Sequence, residues 1–548
     1  MAFTIADLIE HAVDLVPERV ALESADRALT YAQLEEQANA LAHALLDRGV
    51  KPGDRVGLYS RNTIECVIAM VAIFKVRAAM VNVNYRYVEA ELAHIVVDSG
   101  MTVLIHERRY GERVRNVLPS APDLRHLIVL PDDSDTKTAT DAAEFADLVE
   151  RYPAERDFGE RSSDDLYLLY TGGTTGFPKG VVWRQEDVWR VLGGGIDFSS
   201  GEPVTDEWQQ ARQGAQNGQL VRFPIPPFIH GGSQWAVFQE LFVGGKAVID
   251  PEFGPHRTWQ IIERHRVNVV MITGDAMARP MVDALAESFD SGKPYDTSSL
   301  ITIASSAALF SAAVKDRYLE LLPNLLVVDA IGSSETGFAG MSAAARGRSH
   351  IGAPRVTADK QAVVLRDDGS RIEPGSGEVG LLARTGSIPL RYHNDPEKTE
   401  QTFKTFAGVR YSIPGDMATI DADGSITMLG RGSQSINTGG EKVYPEEVEA
   451  ALKAHPEVFD VLVVGVPDER YGQRVGAVIA TREGSRPSAA SLHAVAHQSI
   501  AGYKCPRSIW YVDEIKRSPA GKPNYRWGRE ITESRAADEV RQVVSGRS

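Results

Sequence analysis

The stretch YTGGTTGFPKGVVWR, Tyr170 to Arg184, crowds four glycines, three threonines, a proline and a lysine into one short span. Leu166-Tyr167-Leu168-Leu169, just before it, is an apolar run that reads as a strand entering a core. Glycines let a backbone approach a ligand and turn its N–H groups toward one anion. The hydroxyls of Thr174 and Thr175 add donors, and Lys179 adds a cation. Such a loop suits a polyphosphate. It is not the common phosphate loop, in which the lysine opens a helix and is followed by Ser or Thr, because Lys179 stands between Pro178 and Gly180. The dinucleotide spacing G-x-G-x-x-G is missing as well.

Working outward, helix and strand signals alternate from the start. Ile5, Leu8, Ile9, Ala12, Val13 and Val16 trace one helical face. Thr30 and Gln33 form a capping box ahead of Leu34, Ala38, Leu41 and Leu45, and Gly49 is a stop. Arg55–Ser60, Thr102–His106 and His126–Leu130 read as strands, with a helix over Ile64–Phe74. Leu130–Phe145 reads as a polar surface insertion. This alternation predicts an α/β fold with parallel sheets covered by helices. The texture changes after about Gly430: turn residues come first, then Pro445 at the first position of a helix through Lys453. The short strands VLVVGVP, AVIAT and IWYVD follow. The reading is a large multi-sheet N-terminal domain, residues 1–431, and a small C-terminal α+β domain, residues 432–548, hinged at Arg431-Gly432-Ser433.

With 548 residues the chain can build large buried cores. Its net charge of −15 argues against nucleic acid, whose binding rests on Lys and Arg at phosphates, while a local basic pocket can still take a small anion. Cys66 and Cys505 make no disulfide framework and no metal-ligand spacing. The N-terminus lacks the pattern of a signal peptide, and the longest apolar run, Cys66–Phe74, is about half of what a membrane helix needs. A cytoplasmic protein without a membrane span is expected. Oligomeric state is left open.

Several stretches in order carry a resemblance. The glycine-threonine loop resembles the phosphate loop of the adenylate-forming enzymes, the superfamily of acyl-CoA synthetases, luciferases and peptide-synthetase adenylation domains. AIGSSETG, Ala330–Gly337, resembles their adenine-flanking segment that ends in a Mg²⁺-linked glutamate. IPGDMATIDADGSITMLGRGS, Ile413–Ser433, resembles the ribose-binding aspartate followed by an arginine, and SPAGKPNYR, Ser518–Arg526, the C-terminal lysine motif. PPFIHGGSQW, Pro226–Trp235, resembles the Pro-x-Phe-His-x-x-Gly region, with Ile229 inserted. SSAALFS, Ser305–Ser311, falls where the family has a small-residue segment beside adenine and the acyl group.

The resemblance implies ATP, Mg²⁺ and CoA, and a reaction in which a carboxylate first becomes an acyl-adenylate and then a thioester. It implies a nucleotide site made of Thr171, Gly172, Gly173, Thr174, Thr175, Gly176, Phe177, Pro178 and Lys179. Ser306, Ala307, Asp329, Ala330, Ile331, Gly332, Ser333, Ser334, Asp416, Arg431 and Lys442 complete that site. Glu335 would hold the metal; Lys522, Glu335, His230 and Thr174 would be catalytic. His230, Gly231, Ser233, Trp235, Ser305, Gly332 and Phe338 would face the acid. The small domain would be mobile, bringing Lys522 in for the first half-reaction and Thr438–Glu447 in for the second. Ser433 stands at a hinge position where many relatives have aspartate or lysine. TGDAMARP, GRGSQSINTGGEKVYPEEVEAALK and EIKRSPAGKPNYRW further resemble actinobacterial ligases that activate the side-chain carboxylate of cholesterol-derived acids. Medium- or long-chain fatty acyl-CoA ligases, acyl-AMP ligases and, remotely, a non-catalytic nucleotide sensor are the alternatives.

Overall fold

A computed structural model describes residues 3–139, 141–171, 178–196, 202–344, 355–438, 441–468, 472–517 and 523–540, with backbone only at 431, 433, 441, 442 and 472. Local signals become the expected elements. Thr30 Oγ1 accepts from Gln33 N at 3.2 Å and Gln33 Oε1 from Thr30 N at 2.9 Å, opening the helix Tyr31–Asp47. The apolar run Cys66–Phe74 is buried within the helix Ile64–Lys75. Among the described residues no helix is long and apolar enough to cross a membrane.

Strands Arg55–Tyr59, Ala79–Asn82, Val103–Glu107 and His126–Leu130 are parallel neighbours, with Leu166–Thr171 joining alongside Ala79–Asn82. Lys179–Arg184 then turns back antiparallel on Leu166–Thr171. A second sheet holds the parallel strands Lys246–Val248, Val221–Pro224, Val269–Ile272, Thr302–Ser306 and Leu326–Ser333. From Gly337 to Arg431 this sheet continues antiparallel, an extension that the β–α alternation earlier in the chain did not signal. Asp416–Ile420 and Ser425–Arg431, for example, are joined by a short turn, which permits only antiparallel pairing.

The second sheet ends at Arg431; the next strand, Ile436–Thr438, belongs to a third sheet with Glu441–Val443, Val458–Asp468, Gly472–Thr481, Ser508–Val512 and Glu539–Val540. Pro445 opens the helix Pro445–Lys453, as expected, and Val448, Leu452, Val461, Val463 and Ile479 form the core beneath it.

That helix is also where the small unit meets the large one. The Glu446 carboxylate fills the space in which a Cβ on Gly430 would stand. Burial, then Glu449 and Asp416 nearby, push its carboxyl up to about 8, despite the Tyr525 hydroxyl beside it. Glu449 is pushed up to about 7, again mainly by burial. Both are raised above the ordinary carboxylate value of 4.5, so the folded state holds extra protons. Their stabilisation is complete below that value and is lost as pH climbs through about 8. Thermal unfolding should therefore show a midpoint that falls by several degrees between pH 6 and pH 9. In Glu446→Gln, which keeps the shape and removes the proton, most of that slope should vanish. An unchanged slope would place the titration elsewhere.

Candidate active site

Parallel strands present their carboxyl ends, and the loops beyond them, on one side of a sheet. Here Val221–Pro224 leads to His230, Val269–Ile272 to Gly274, Thr302–Ser306 to Ala307 and Leu326–Ser333 to Glu335. Segments more than a hundred residues apart thus meet along one rim.

The glycine-threonine loop joins an antiparallel hairpin whose last pair is Thr171 opposite Lys179. Gly172, Gly173, Thr174, Thr175, Gly176 and Phe177 lie outside the described residues. Pro178 is buried and the Lys179 side chain is exposed, its ammonium paired with Asp395. Asp395 also caps the helix Pro396–Thr402, accepting from Lys398 N at 2.9 Å. Partial burial resists ionisation of Asp395, but Lys179 and the Lys398 N–H together hold its carboxyl below the usual range.

Glu335 occupies the tight turn between Leu326–Ser333 and Gly337–Ala344. The Ser333 hydroxyl accepts from the N–H groups of Glu335 and Thr336, each at 3.2 Å, so the turn is held by its own side chains. The Glu335 carboxylate is buried and accepts from the Tyr392 hydroxyl at 2.8 Å, while its carbonyl accepts from Ser412 Oγ at 2.6 Å. Trp183 Nε1 donates to the Ser334 carbonyl at 2.9 Å. One rigid carboxylate fits a hard cation that keeps water and substrate phosphate as its other ligands. Gly332 is a glycine for a reason other than ligand room: a Cβ there would collide with the Gly337 carbonyl. Gly337 itself sits at φ 65°, in the left-handed region.

His230 stands at the N-cap of the helix Gly231–Phe242, and its carbonyl accepts from Ser233 N at 3.1 Å. A Cβ on Gly232 would lie 3.7 Å from Ser306 Oγ and 2.9 Å from Met271 Cε, which puts the helix start against two strand ends. Gly231 packs its backbone on Leu169 and Tyr167. Ser305 is buried, and its Oγ accepts from Gly274 N at 3.0 Å. Ala307 is exposed at φ 67°, strained for a residue with a Cβ.

Other expected site residues are placed differently. Trp235 is 2% exposed and packs edge-to-face on Tyr167 and Phe238, so it is a core residue rather than a wall of the cleft. Ser233 is fully buried on the same helix. Asp329 is buried and paired with Lys315 at 2.9 Å; burial raises its carboxyl and Lys315 counters it. Ala330, Ile331 and Ser334 follow along the same strand and turn, and the Phe338 carbonyl accepts from buried Arg384. Asp416 pairs with Arg431 across neighbouring strands, so two residues expected at one ribose are brought together by register. Lys442 lies opposite Asn437 in a hairpin, but its side chain, like that of Arg431, is outside the described residues. Lys522 is outside them too; Arg517 and Pro523 form an antiparallel bridge on either side of its loop.

Sequence reasoning missed the residues that brace this rim. The Asn82 amide donates to the carbonyls of Tyr170 at 2.8 Å and Ile229 at 2.6 Å and accepts from Tyr170 N at 2.7 Å. Asn62 does likewise for Pro226 and Phe228. An asparagine amid the apolar run AMVNV was the available signal for Asn82. Asn-Asp-Pro at 394–396 signals a helix start, but nothing local ties it to Lys179 or Tyr392 to Glu335.

Known proteins resemble this chain in sequence and in fold. The chain is 61% identical over 542 residues to 3-oxocholest-4-en-26-oate--CoA ligase of Rhodococcus rhodochrous, covering 98% of each chain. It is 60% identical over 541 residues to the medium/long-chain-fatty-acid--CoA/3-oxocholest-4-en-26-oate--CoA ligase of Mycolicibacterium smegmatis, again over 98% of each. Its fold matches the crystal structure of the anthranilate CoA ligase AuaEII in complex with anthranoyl-AMP, with a TM-score of 0.82 at 23% identity over 96% and 97% of the two chains. Residues 9–388 match the AMP-binding enzyme family and residues 447–522 its C-terminal domain. With those matches spanning the rim, the hairpin loop and the small unit in the order found here, the chain belongs to the AMP-binding enzyme family.

Proposed function

We propose that the protein is an ATP-dependent acyl-CoA ligase that activates the side-chain carboxylate of a steroid such as 3-oxocholest-4-en-26-oate. Medium- and long-chain fatty acids are the competing substrates. The observation that carries the reading is identity of about three in five residues, along nearly the whole chain, with ligases named for that steroid acid. The names of the Mycolicibacterium and Mycobacterium relatives support fatty acids as a second substrate class. A cytoplasmic setting fits Cys66 and Cys505, which are buried and joined in no disulfide.

A carboxylate is a poor acyl donor because its leaving group is oxide. Attack on the α-phosphate of ATP forms an acyl-adenylate and releases pyrophosphate; attack by the CoA thiol then expels AMP. The first step brings two anions together, so cations and N–H donors must stand where charge builds. Residues 171–179 would cradle the β- and γ-phosphates, with Lys179 exchanging Asp395 for phosphate oxygens. Glu335 would anchor Mg²⁺, which neutralises phosphate charge when bound. Tyr392 holds that carboxylate, while Ser412 holds the Glu335 backbone through its carbonyl. Asp416 would accept from the ribose hydroxyls, Arg431 would reach ribose or phosphate, and Ser306–Ala307 with Ala330–Ser334 would flank adenine. His230 would border the reacting carboxylate and the thiol path. Lys522 would bridge carboxylate and α-phosphate. Residues 1–431 would form the nucleotide and acyl domain, and residues 432–548 would turn about Gly432-Ser433 between half-reactions, withdrawing Lys522 and presenting Lys442.

The decisive experiment gives the purified protein ATP, Mg²⁺, CoA and a panel of sterol and fatty acids, and reads acyl-AMP and acyl-CoA by mass spectrometry. Absence of any acyl-CoA would sink the ligase reading; acyl-AMP alone would favour an acyl-AMP ligase. Lys522→Ala should slow adenylate formation on the order of 10² to 10³, the scale for losing one preorganised charge donor. Thioester formation from pre-made acyl-AMP should be largely spared, and equal losses in both steps would refute the two-position scheme.

Acyl width can be probed at Gly232, which faces Met271 and Ser306. Ala307 is a poor choice, because its positive φ would confound any larger side chain. Gly232→Leu should lower kcat/KM for 3-oxocholest-4-en-26-oate by roughly tenfold to a hundredfold, as overpacking of about 1–3 kcal/mol implies. Palmitate, which can bend, should lose far less. Equal losses would reject a ring-shaped pocket at this wall.

A further inference from the structure

One buried chain of charges runs from the acyl wall to the base of the Lys522 loop, and the mechanism above does not use it. Asp275 lies in the first turn of the helix Gly274–Asp290, on the large unit. Its Oδ1 accepts from Ser311 N at 2.8 Å, and its own N–H donates to the Leu309 carbonyl at 2.9 Å. The same helix start is tied to Ser305 through the Gly274 N–H. Asp275 therefore fixes the loop Ser306–Ser311, the expected acyl and adenine wall.

From the opposite side, Lys453, the last residue of the helix Pro445–Lys453, brings its ammonium to 3.3 Å from Asp275 Oδ2 and 3.1 Å from Asp460. Lys453 is 2% exposed. Arg517 grips Asp460 through two nitrogens, at 2.7 and 2.6 Å, and Arg517 is the residue whose bridge to Pro523 closes the Lys522 loop. Arg279, one turn beyond Asp275, lies over the Phe459 ring at 5.8 Å. These contacts differ in kind from exposed ion pairs. Asp275 and Lys453 are both buried, so the small unit cannot leave without unpairing and exposing the two charges together.

We propose that Lys453 and Asp275 are positioning residues that latch the small domain in the orientation used for adenylate formation. The series Ser311–Asp275–Lys453–Asp460–Arg517 ties the end of the expected acyl wall to Arg517, at the base of the Lys522 loop. The proposal rests on the two-position reading above. It adds that orientation is chosen by a specific buried ion pair as well as by the hinge. Since both ends of the series touch substrate-facing segments, displacement of the Ser306–Ser311 wall by an acyl group is transmitted to the domain that carries the lysine.

The test separates the half-reactions. In Lys453→Met, pyrophosphate release with ATP and palmitate should fall roughly tenfold to a hundredfold, as expected when a buried pair loses one partner. The conversion of pre-made palmitoyl-AMP and CoA to thioester should be unchanged or faster, which also proves the variant folded. If Lys453→Met does not fold, Asp275→Asn keeps the acceptor for Ser311 N and removes the charge, and it should show the same split. Labels on exposed Arg317 and Arg526, replaced by cysteine, should report by energy transfer a broader distance distribution in either variant. Losses equal in both half-reactions, or none in either, would overturn the latch. Lys522→Ala run alongside tells the two claims apart: if it splits the half-reactions and the latch variants do not, the ligase reading stands and the latch falls.

Discussion

The rim depends on buried side-chain amides, Asn82 first among them. Asn82 ends a strand of the first sheet, and its side chain pairs with the Tyr170 backbone as a neighbouring strand would, while also holding the Ile229 carbonyl. Tyr170 leads into the glycine-threonine loop, and Ile229 precedes His230. The amide therefore fixes the distance between the segment expected at phosphate and the segment expected at the carboxylate. Losing it would strand buried backbone groups that have no water to turn to, at a cost of about 1–3 kcal/mol for each. Asn62 repeats the device one strand over, on Pro226 and Phe228. Two asparagines thus hold the sheets at a set separation that apolar packing, being non-directional, would leave loose.

Around this brace the backbone departs from ordinary geometry where the cleft opens. Gly274, Ala307 and Gly337 all lie at positive φ; the first two follow strands that lead to the cleft, and Gly337 opens the strand after the Glu335 turn. For the two glycines the conformation is cheap. For Ala307 it is not, and the surrounding hydrogen bonds, among them Ala308 N to the Ser306 carbonyl at 2.9 Å, hold it there. The turn at Glu335 reaches rigidity by another route, through hydroxyls of Ser333 and Thr336 and donors from Trp183, Tyr392 and Ser412. A carboxylate so fixed needs little reorganisation when charge arrives, which is what electrostatic catalysis requires.

The meeting of the two units is electrostatic in a different sense. Apolar packing builds each unit's own core, while the contact between them includes the buried Lys453–Asp275 pair and the Glu446 carboxylate against Gly430. Buried ion pairs contribute little net stability against an apolar alternative, but they penalise misregistered arrangements severely. That balance suits a contact that has to be specific and yet come apart.

The sequence by itself determined the family, the order of its motifs and most local elements. The capping box at Thr30, the proline opening the helix at 445 and the strand before the glycine-threonine loop all depend on residues within a few positions of one another, so they are legible without a fold. The tertiary structure decided which of the named residues share a surface. Trp235, read as part of the acid pocket, turned out to be core because Tyr167 and Phe238 arrive from other elements to enclose it. Gly332, read as facing the acid, has to be small because its neighbour across the hairpin is close. Asn82 finds partners 88 and 147 residues away, and Tyr392 meets Glu335 across 57. No local pattern encodes such pairings, because they follow from strand order and register, which are settled only when whole sheets exclude water together.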